Sequence, residues 1–266
     1  MKHISSRENP LYKRVARLVR GKRDLGADGT PKHHLVLEGV HLCQAWLEHI
    51  GAPELALFDH EGLHQDAELG QLAQAAGADR SVSCDSHLMR GLSHLEQGQS
   101  VYFVVAAPQT AVPPRIEESS LWLDRVQDPG NVGTLLRIAA AAGIKHVYLS
   151  SGCASAWSSK VLRAGQGAHF ALSVYEHVDL VAESTRLAIP LLATALVDAR
   201  PLYELALPAQ CVWVFGNEGQ GVDQSLLDAA TARVYIPQEE RVESLNVAAA
   251  AAICLFEQRR QQLYAA

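Results

Sequence analysis

Three short stretches of the chain gather residue types that could do chemistry. In 121–143, LWLDRVQDPGNVGTLLRIAAAAG, Asn131 and Arg137 lie either side of Gly133. Gly133 precedes Arg137 by four residues, on the same face of a helix, and leaves room for a substrate to approach the guanidinium. In 211–230, CVWVFGNEGQGVDQSLLDAA, an apolar run opens into Gly216, Asn217, Glu218, Gly219 and Gly221. Glycines at that density let main-chain amides and carbonyls face a ligand closely, and Glu218 can accept from a ligand amine or a neighbouring arginine. In 233–260, RVYIPQEERVESLNVAAAAAICLFEQRR, Ser244 and Asn246 stand at the mouth of an alanine-rich run and need partners there. Taken singly, each has a plainer explanation. Asn131 and Ser244 are good helix caps, Arg137 could be a surface ion-pair partner, and the glycines could make a tight turn.

All three stretches must be held by strands and helices. LWLDRV, CVWVFGN and ARVYIPQ read as strands that are apolar nearly throughout, with HVYLS, ALSVYEHV and PLLATAL between them. Such strands imply a sheet covered on both faces, hence an α/β fold with a mostly parallel sheet. Open sheets of that kind place their ligands at the carboxyl ends of strands, where the three stretches fall. Val132, Leu135, Leu136 and Ala139 form the core stripe of a helix over 132–142 closed by Gly143. Residues 244–262 form a long final helix, apolar all round over 247–256 and therefore buried. PQTAVPPRIEESS, 108–120, has three prolines and no periodicity and reads as a linker. It separates a first domain, 1–107, from a second, 121–266. In the first, LYKRVARLVR sets Leu11, Val15, Leu18 and Val19 at helical spacing, and HLVLEG, ELALFD and QSVYFVVAAP read as strands alternating with helices.

Composition narrows the function classes. The chain has 266 residues, 48% hydrophobic and 20% charged, as in a folded protein with a real core. No run of about 18 apolar residues occurs and the first ten residues lack a signal peptide's apolar core, so no membrane span is expected and the cytoplasm is the expected location. Cys43, Cys84, Cys153, Cys211 and Cys254 are odd in number and far apart, which favours buried free thiols over disulfides. No CxxC or HExxH spacing is present, and the adjacent His33 and His34 would point to opposite sides of a strand, so no metal site is expected. The glycines do not follow GxGxxG and no Walker lysine appears, which sets a nucleotide-dependent oxidoreductase aside. Net charge is −6, yet residues 1–30 hold eight basic residues against three acidic ones, a net of +5. Lys13, Arg14, Arg17, Arg20, Lys22 and Arg23 form an arm suited to phosphates, or else one face of a solvated amphipathic helix.

Together, NVGTLLR, FGNEGQG and IPQEERVESLNVAAA resemble the three ordered motifs of the SpoU/TrmH family of RNA 2′-O-methyltransferases, in the SPOUT superfamily. KVLRAGQGAHF, 160–170, resembles the segment between the first two motifs, and the first domain resembles the small RNA-binding domain that many members carry. The resemblance implies a trefoil knot in the C-terminal part of the sheet, a homodimer, and S-adenosylmethionine as methyl donor. It implies that Gly216, Ile236 and Leu245, with Asn217 and Gly221, contact the donor largely through main chain. Asn131 and Arg137 would face the target ribose, while Glu218, Ser244 and Asn246 order the pocket. The implied substrate is structured RNA, rRNA in preference to tRNA; a non-catalytic RNA-binding relative is the alternative. The chain departs from the family pattern at Glu240, where glycine is common, at Gln238, where methionine is common, and at Gly165, where serine is often found.

Overall fold

In a computed structural model of the chain, the structure describes residues 1–22, 24–25, 31–92, 99–108, 110–239 and 244–264. The chain forms two compact units, one of Met1–Gln109 with Trp157–Arg163, the other of Thr110–Ala156 with Ala164–Ala266.

The first unit runs β1 (Lys2–Ile4), α1 (Pro10–Val19), a small ribbon of β2 (Asp24–Leu25) and β3 (Pro31–Lys32), β4 (His34–Glu38), α2 (Val40–His49), β5 (Leu55–Asp59), α3 (His60–Gln65), α4 (Ala67–Ala76), β6 (Ser81–Cys84), α5 (Ser86–Arg90) and β7 (Val101–Ala106). Its main sheet is ordered β1-β6-β5-β7-β4, with β7 antiparallel to both neighbours. Asn9 caps α1 through its side chain and Pro10 opens the helix with φ already set. The buried stripe of α1 is Tyr12, Val15, Leu18 and Val19; Tyr12 takes the place expected of Leu11, which is only partly buried. The Tyr12 hydroxyl donates to Leu88 O at 3.1 Å, so a ring wedged into the core still satisfies its polar end. The His34 side chain is enclosed between Asp24 (3.2 Å) and Glu54 (2.8 Å), whereas His33 is exposed.

The second unit runs β8 (Ser120–Leu123), α6 (Pro129–Ala142), β9 (His146–Ser150), α7 (Ser159–Gly165), β10 (Ser173–Val178), α8 (Leu180–Ser184), β11 (Leu191–Thr194), β12 (Arg200–Pro201), β13 (Val212–Phe215), α9 (Gln224–Ala229), β14 (Ala232–Tyr235) and α10 (Val247–Leu263), with α7 largely grouped with the first unit. Seven strands, ordered β10-β9-β8-β13-β11-β14-β12, pair in parallel throughout. All of β8 and β13 is buried, as apolar strands covered on both faces should be, and Trp122 and Trp213 lie within them. Strands after β8 run outward on one side through β9 and β10, while β13, β11, β14 and β12 fill the other. The boundary between β8 and β13 is thus a topological switch point, the place where such sheets open a crevice at their carboxyl ends.

The helix stripe Val132, Leu135, Leu136 and Ala139 is buried and Gly143 ends α6 at φ 86°. Helix α10 packs against α6, but it is not buried all round. Val247, Ala248, Ala251, Cys254 and Leu255 face the core, while Ala249 and Phe256 are exposed. The composition of a helix whose apolar residues cover every face does not say what meets the outer ones. Cys43, Cys84, Cys211 and Cys254 are buried free thiols, and Cys153 is half-buried.

Past α7 the chain enters a 3-10 turn, Ala168–Ala171, that carries the fully buried His169. Gly165 is required beside it: a Cβ there would come within 2.4 Å of the His169 ring, so serine has no room. Nε2 of His169 donates to Ala156 O at 2.8 Å, and burial pushes its pKa from 6.5 down to about 4 despite that bond. The unfolded chain therefore takes up this proton first as pH falls, and stability present above 6.5 is lost progressively down to 4. Urea unfolding should show a loss of about 2 kcal/mol from pH 7 to pH 5, and the loss should shrink in His169→Asn. Wild-type stability equal at the two pH values would contradict a buried neutral ring.

Candidate active site

The site is best built from the two loops at the switch point. Strand β8 ends in Asp124 and Arg125, and α6 then starts at Pro129. Asp128, not Asn131, is its N-cap, with Oδ1 accepting from Asn131 N at 2.8 Å. A capping type three residues into a helix is thereby left with its side chain unused by its own helix. The same correction applies to the last helix. Its N-cap is Asn246, whose Oδ1 accepts from Ala248 N (2.9 Å) and Ala249 N (3.2 Å), while Ser244 lies exposed ahead of it.

The two asparagines meet. Asn246 Nδ2 donates to Asn131 Oδ1 at 2.9 Å, and Asn131 Nδ2 donates to Glu218 Oε1 at 2.9 Å. This chain of amides has one consistent direction. An ionised carboxylate only accepts, and the first main-chain amides of α10 only donate, so each side-chain amide between them must turn its nitrogen toward Glu218. Burial alone would raise the Glu218 pKa, but the hydrogen bonds from Asn131 and the neighbouring main chain hold it below the usual carboxylate range. It is the anion that the chain of donors requires.

Glu218 sits in the loop after β13. Asn217 and Gly221 exchange main-chain bonds (3.1 and 2.8 Å), and Asn217 Oδ1 accepts from Gly219 N and Gln220 N. Gly216 is buried where the loop returns on itself. A Cβ there would fall 2.1 Å from Gly221 C and Val222 N, so any other residue would force the loop apart. Strands β13, β11 and β14 lie side by side and parallel, so three loops leave one edge of the sheet together: 216–223, the loop after Thr194, and the one after Tyr235 that carries Ile236. Leu196 and Val197, in the loop after β11, are 69% and 72% exposed, an apolar surface open at that edge.

Asn131, Glu218 and Asn246 are thus brought together, with Gly216, Asn217 and Gly221 shaping the loop beside them. Ile236 and Leu245 are half-buried, one past β14 and the other just before Asn246. Arg137 is exposed on α6, six residues or roughly 9 Å of helix axis beyond Asn131. Among the described residues neither Arg137 nor Ser244 hydrogen-bonds to the amide chain, and Glu240 lies outside them. Asp124 and Arg125, which bind the loop after β13, carried no functional expectation; the only signal was an Asp-Arg pair ending an apolar strand. Among the described residues no three His, Cys, Asp or Glu side chains are grouped to hold a metal ion.

Of the basic arm, Arg14 is engaged, with Nε 2.6 Å from Asp24 and Nη2 3.3 Å from Glu54. Lys13 pairs with Glu8, and Arg17, Arg20 and Lys22 are exposed on or after α1. Arg23 lies outside the described residues.

Residues 118–256 match the family model described as the SpoU rRNA Methylase family, more than half of the chain and all of the site just described. The chain belongs to that family. It is 33% identical over 274 residues to an uncharacterized tRNA/rRNA methyltransferase of Synechocystis, covering 97% of this chain and 94% of that one. It is 31% identical over 262 residues to the Bacillus subtilis 23S rRNA (guanosine(2553)-2′-O)-methyltransferase RlmP, covering 97% and 100%. Among solved structures, the AdoMet-bound rRNA methyltransferase from Sinorhizobium meliloti superposes with a TM-score of 0.80 at 26% identity, covering 98% of each chain. The α/β fold with its parallel sheet is the fold of these methyltransferases.

The amide chain makes a separable prediction. Asn246→Asp keeps the oxygen that caps α10 but loses the donor to Asn131, whereas Asn246→Ala loses both. Thermal unfolding should be near wild type for Asn246→Asp and lower by about 1 kcal/mol for Asn246→Ala. Methyl transfer should fall about tenfold or more in both. Full activity in Asn246→Asp would mean that the bond to Asn131 does not matter to the site.

Proposed function

We propose that this protein transfers a methyl group from S-adenosylmethionine to a ribose 2′-hydroxyl in structured RNA, with rRNA as the substrate class. The observation that carries the proposal is the Glu218–Asn131–Asn246 chain, which joins all three motif stretches at the switch point of a family methyltransferase sheet. The residues at that edge fit the donor. Main-chain groups of the glycine loop can meet its polar atoms, and Leu196, Val197, Ile236 and Leu245 offer apolar area for its adenine. Gly216, Asn217, Gly221, Ile236 and Leu245 are the residues we assign to holding it. Bound there, S-adenosylmethionine supplies a methyl on a sulfonium, already a strong electrophile.

What remains for the protein is position and charge. The ribose hydroxyl must be set in line and must lose its proton as its oxygen gains the methyl. Arg137 cannot readily take that proton, since a guanidinium stays charged to above pH ~12. We assign it to gripping the ribose and stabilising negative charge that develops on the oxygen. Asn131 is fixed by Glu218 and Asn246 and so presents one rigid edge to the substrate. Ser244, at the mouth of α10, is assigned with them to ordering the pocket.

Three further parts belong to the same proposal. A homodimer is supported by the apolar face that α10 leaves open, where Phe256 is 44% and Leu263 64% exposed. The trefoil knot is supported by β11, which pairs on both sides with strands that follow it in sequence. The first unit meets RNA phosphates through its arm, where Arg20 and Lys22 are exposed and Arg14 is held by Asp24 and Glu54. No helix among the described residues is long and apolar enough to cross a membrane. We place the enzyme in the cytosol, where free cysteines stay reduced.

The test is transfer of labelled methyl from S-adenosylmethionine to total RNA from cells lacking the protein, comparing wild type with Arg137→Ala. Alkali-resistant dinucleotides carrying label, lost with Arg137→Ala, are the expected result; label confined to bases would overturn ribose methylation. For the arm, Arg20→Ala with Lys22→Ala should lower the slope of log affinity against log salt by about one to two. An unchanged slope would remove these residues from the phosphate contacts.

A further inference from the structure

Arg125 is one of four described non-glycine residues with positive φ, at 56°. That backbone region disfavours any L side chain and suits glycine, so a long charged side chain held there asks for a reason. Its surroundings supply one. Asp124, the residue before it, is 4% exposed and binds the guanidinium in a two-pronged fashion, Nε to Oδ1 at 3.0 Å and Nη2 to Oδ2 at 2.8 Å. Adjacent residues in a strand point to opposite faces; only the left-handed turn at Arg125 lets neighbours i and i+1 pair in this way.

The pair is fastened below and reaches outward. Below, Arg125 N donates to Ser150 Oγ at 2.9 Å, and Ser150 Oγ lies 3.3 Å from Asp124 Oδ1. Outward, three bonds run to the glycine loop. Asp223 N donates to Asp124 Oδ2 (2.9 Å), Asn217 Nδ2 donates to Arg125 O (2.9 Å), and Arg125 Nη1 donates to Gln220 Oε1 (3.2 Å). They take hold of the loop at its start, its tip and its end. Two of the three come from groups that any residue at 125 would retain, the carboxylate of Asp124 and the main-chain carbonyl. The contact with the tip is made by the Arg125 side chain, and the left-handed turn is what aims it there.

We infer that Arg125 is a latch that fixes the tip of the 216–223 loop before the methyl donor binds, and so is a positioning residue for donor affinity. It touches neither the amide chain nor, through its own atoms, the ribose side of the site. The inference rests on reading that loop as part of the donor's site.

Arg125→Gly tests it without disturbing the backbone, because glycine accepts the positive φ and keeps the carbonyl that Asn217 uses. Hydrogen exchange of the 219–221 amides in the ligand-free protein should become about fivefold faster, and S-adenosylhomocysteine should bind about fivefold more weakly by calorimetry. The KM for the donor should rise more than kcat falls. Loss of the guanidinium also leaves the buried Asp124 carboxylate without its cation and lowers the melting temperature, so only faster exchange confined to the loop counts for the latch. Arg125→Lys, which keeps the charge without the fork, should behave like Arg125→Gly. Exchange unchanged in Arg125→Gly would overturn the latch, and so would faster exchange with unaltered S-adenosylhomocysteine affinity. Should wild type itself fail to bind S-adenosylhomocysteine, the donor reading and with it the link to donor affinity fall, while the exchange comparison still decides whether Arg125 orders the loop.

Discussion

A carboxylate that can only accept and a helix start that can only donate, joined through two asparagine side chains, impose a direction on the whole site. Glu218 sets one end and the first amides of α10 set the other, and between them Asn131 and Asn246 have no alternative orientation that satisfies both. Their positions depend on three separate pieces of backbone. Asn131 requires Asp128 to take over the capping of α6. Glu218 requires the loop after β13 to close on Gly216, and Asn246 requires α10 to begin where it does. The sheet brings these pieces together because β8 and β13 are neighbours although about 90 residues apart in the chain.

Strand apolarity and loop polarity are therefore two sides of one arrangement. β8 and β13 are buried along their full length, which fixes where they end, and their ends fix where Asp124, Arg125 and Gly216 emerge. The loops then hold one another directly, side chain to main chain, so that the crevice keeps its form before any ligand enters. A preformed pocket is what methyl transfer demands of a protein, because the donor brings its own reactivity and geometry is what is left to supply.

Much of this was legible in the residues. Continuous apolar strands, the stripe Val132–Leu135–Leu136–Ala139 and the glycine at 143 read directly as a parallel α/β sheet with α6 on it. Among the strands not read from the sequence, β1, β2, β3 and β12 are only two or three residues long, and Ser81 and Ser83 gave β6 a polar look although all four of its residues are buried. The caps were misread for a different reason. Asp128 and Asn131, like Ser244 and Asn246, are pairs of capping types within three residues, and sequence alone does not say which one the helix uses. The answer lies in a partner 87 or 115 residues away. Arg14 shows the same limit. Its charge suggested phosphate, yet Asp24 and Glu54 occupy its guanidinium, a neutralisation visible only once β5 is placed beside α1. Arg125 was invisible because a backbone angle, not a residue type, makes it unusual.

The span of the amide chain also bears on how the molecule comes together in time. Asn131 and Asn246 are separated by 115 residues, and nearly all of the second unit's strands lie between them. Closing loops of that length costs chain entropy that local contacts do not, so contacts of such range form late and slow the route to the native state. The individual strand–helix pairs can order early, but the pocket exists only after α10 has docked on α6. Until then Asn131 and Glu218 lack their third member, and the apolar stripe of α6 lacks its cover. The site is thus completed only when the last helix is in place, and a chain that has not docked it has no capacity to act.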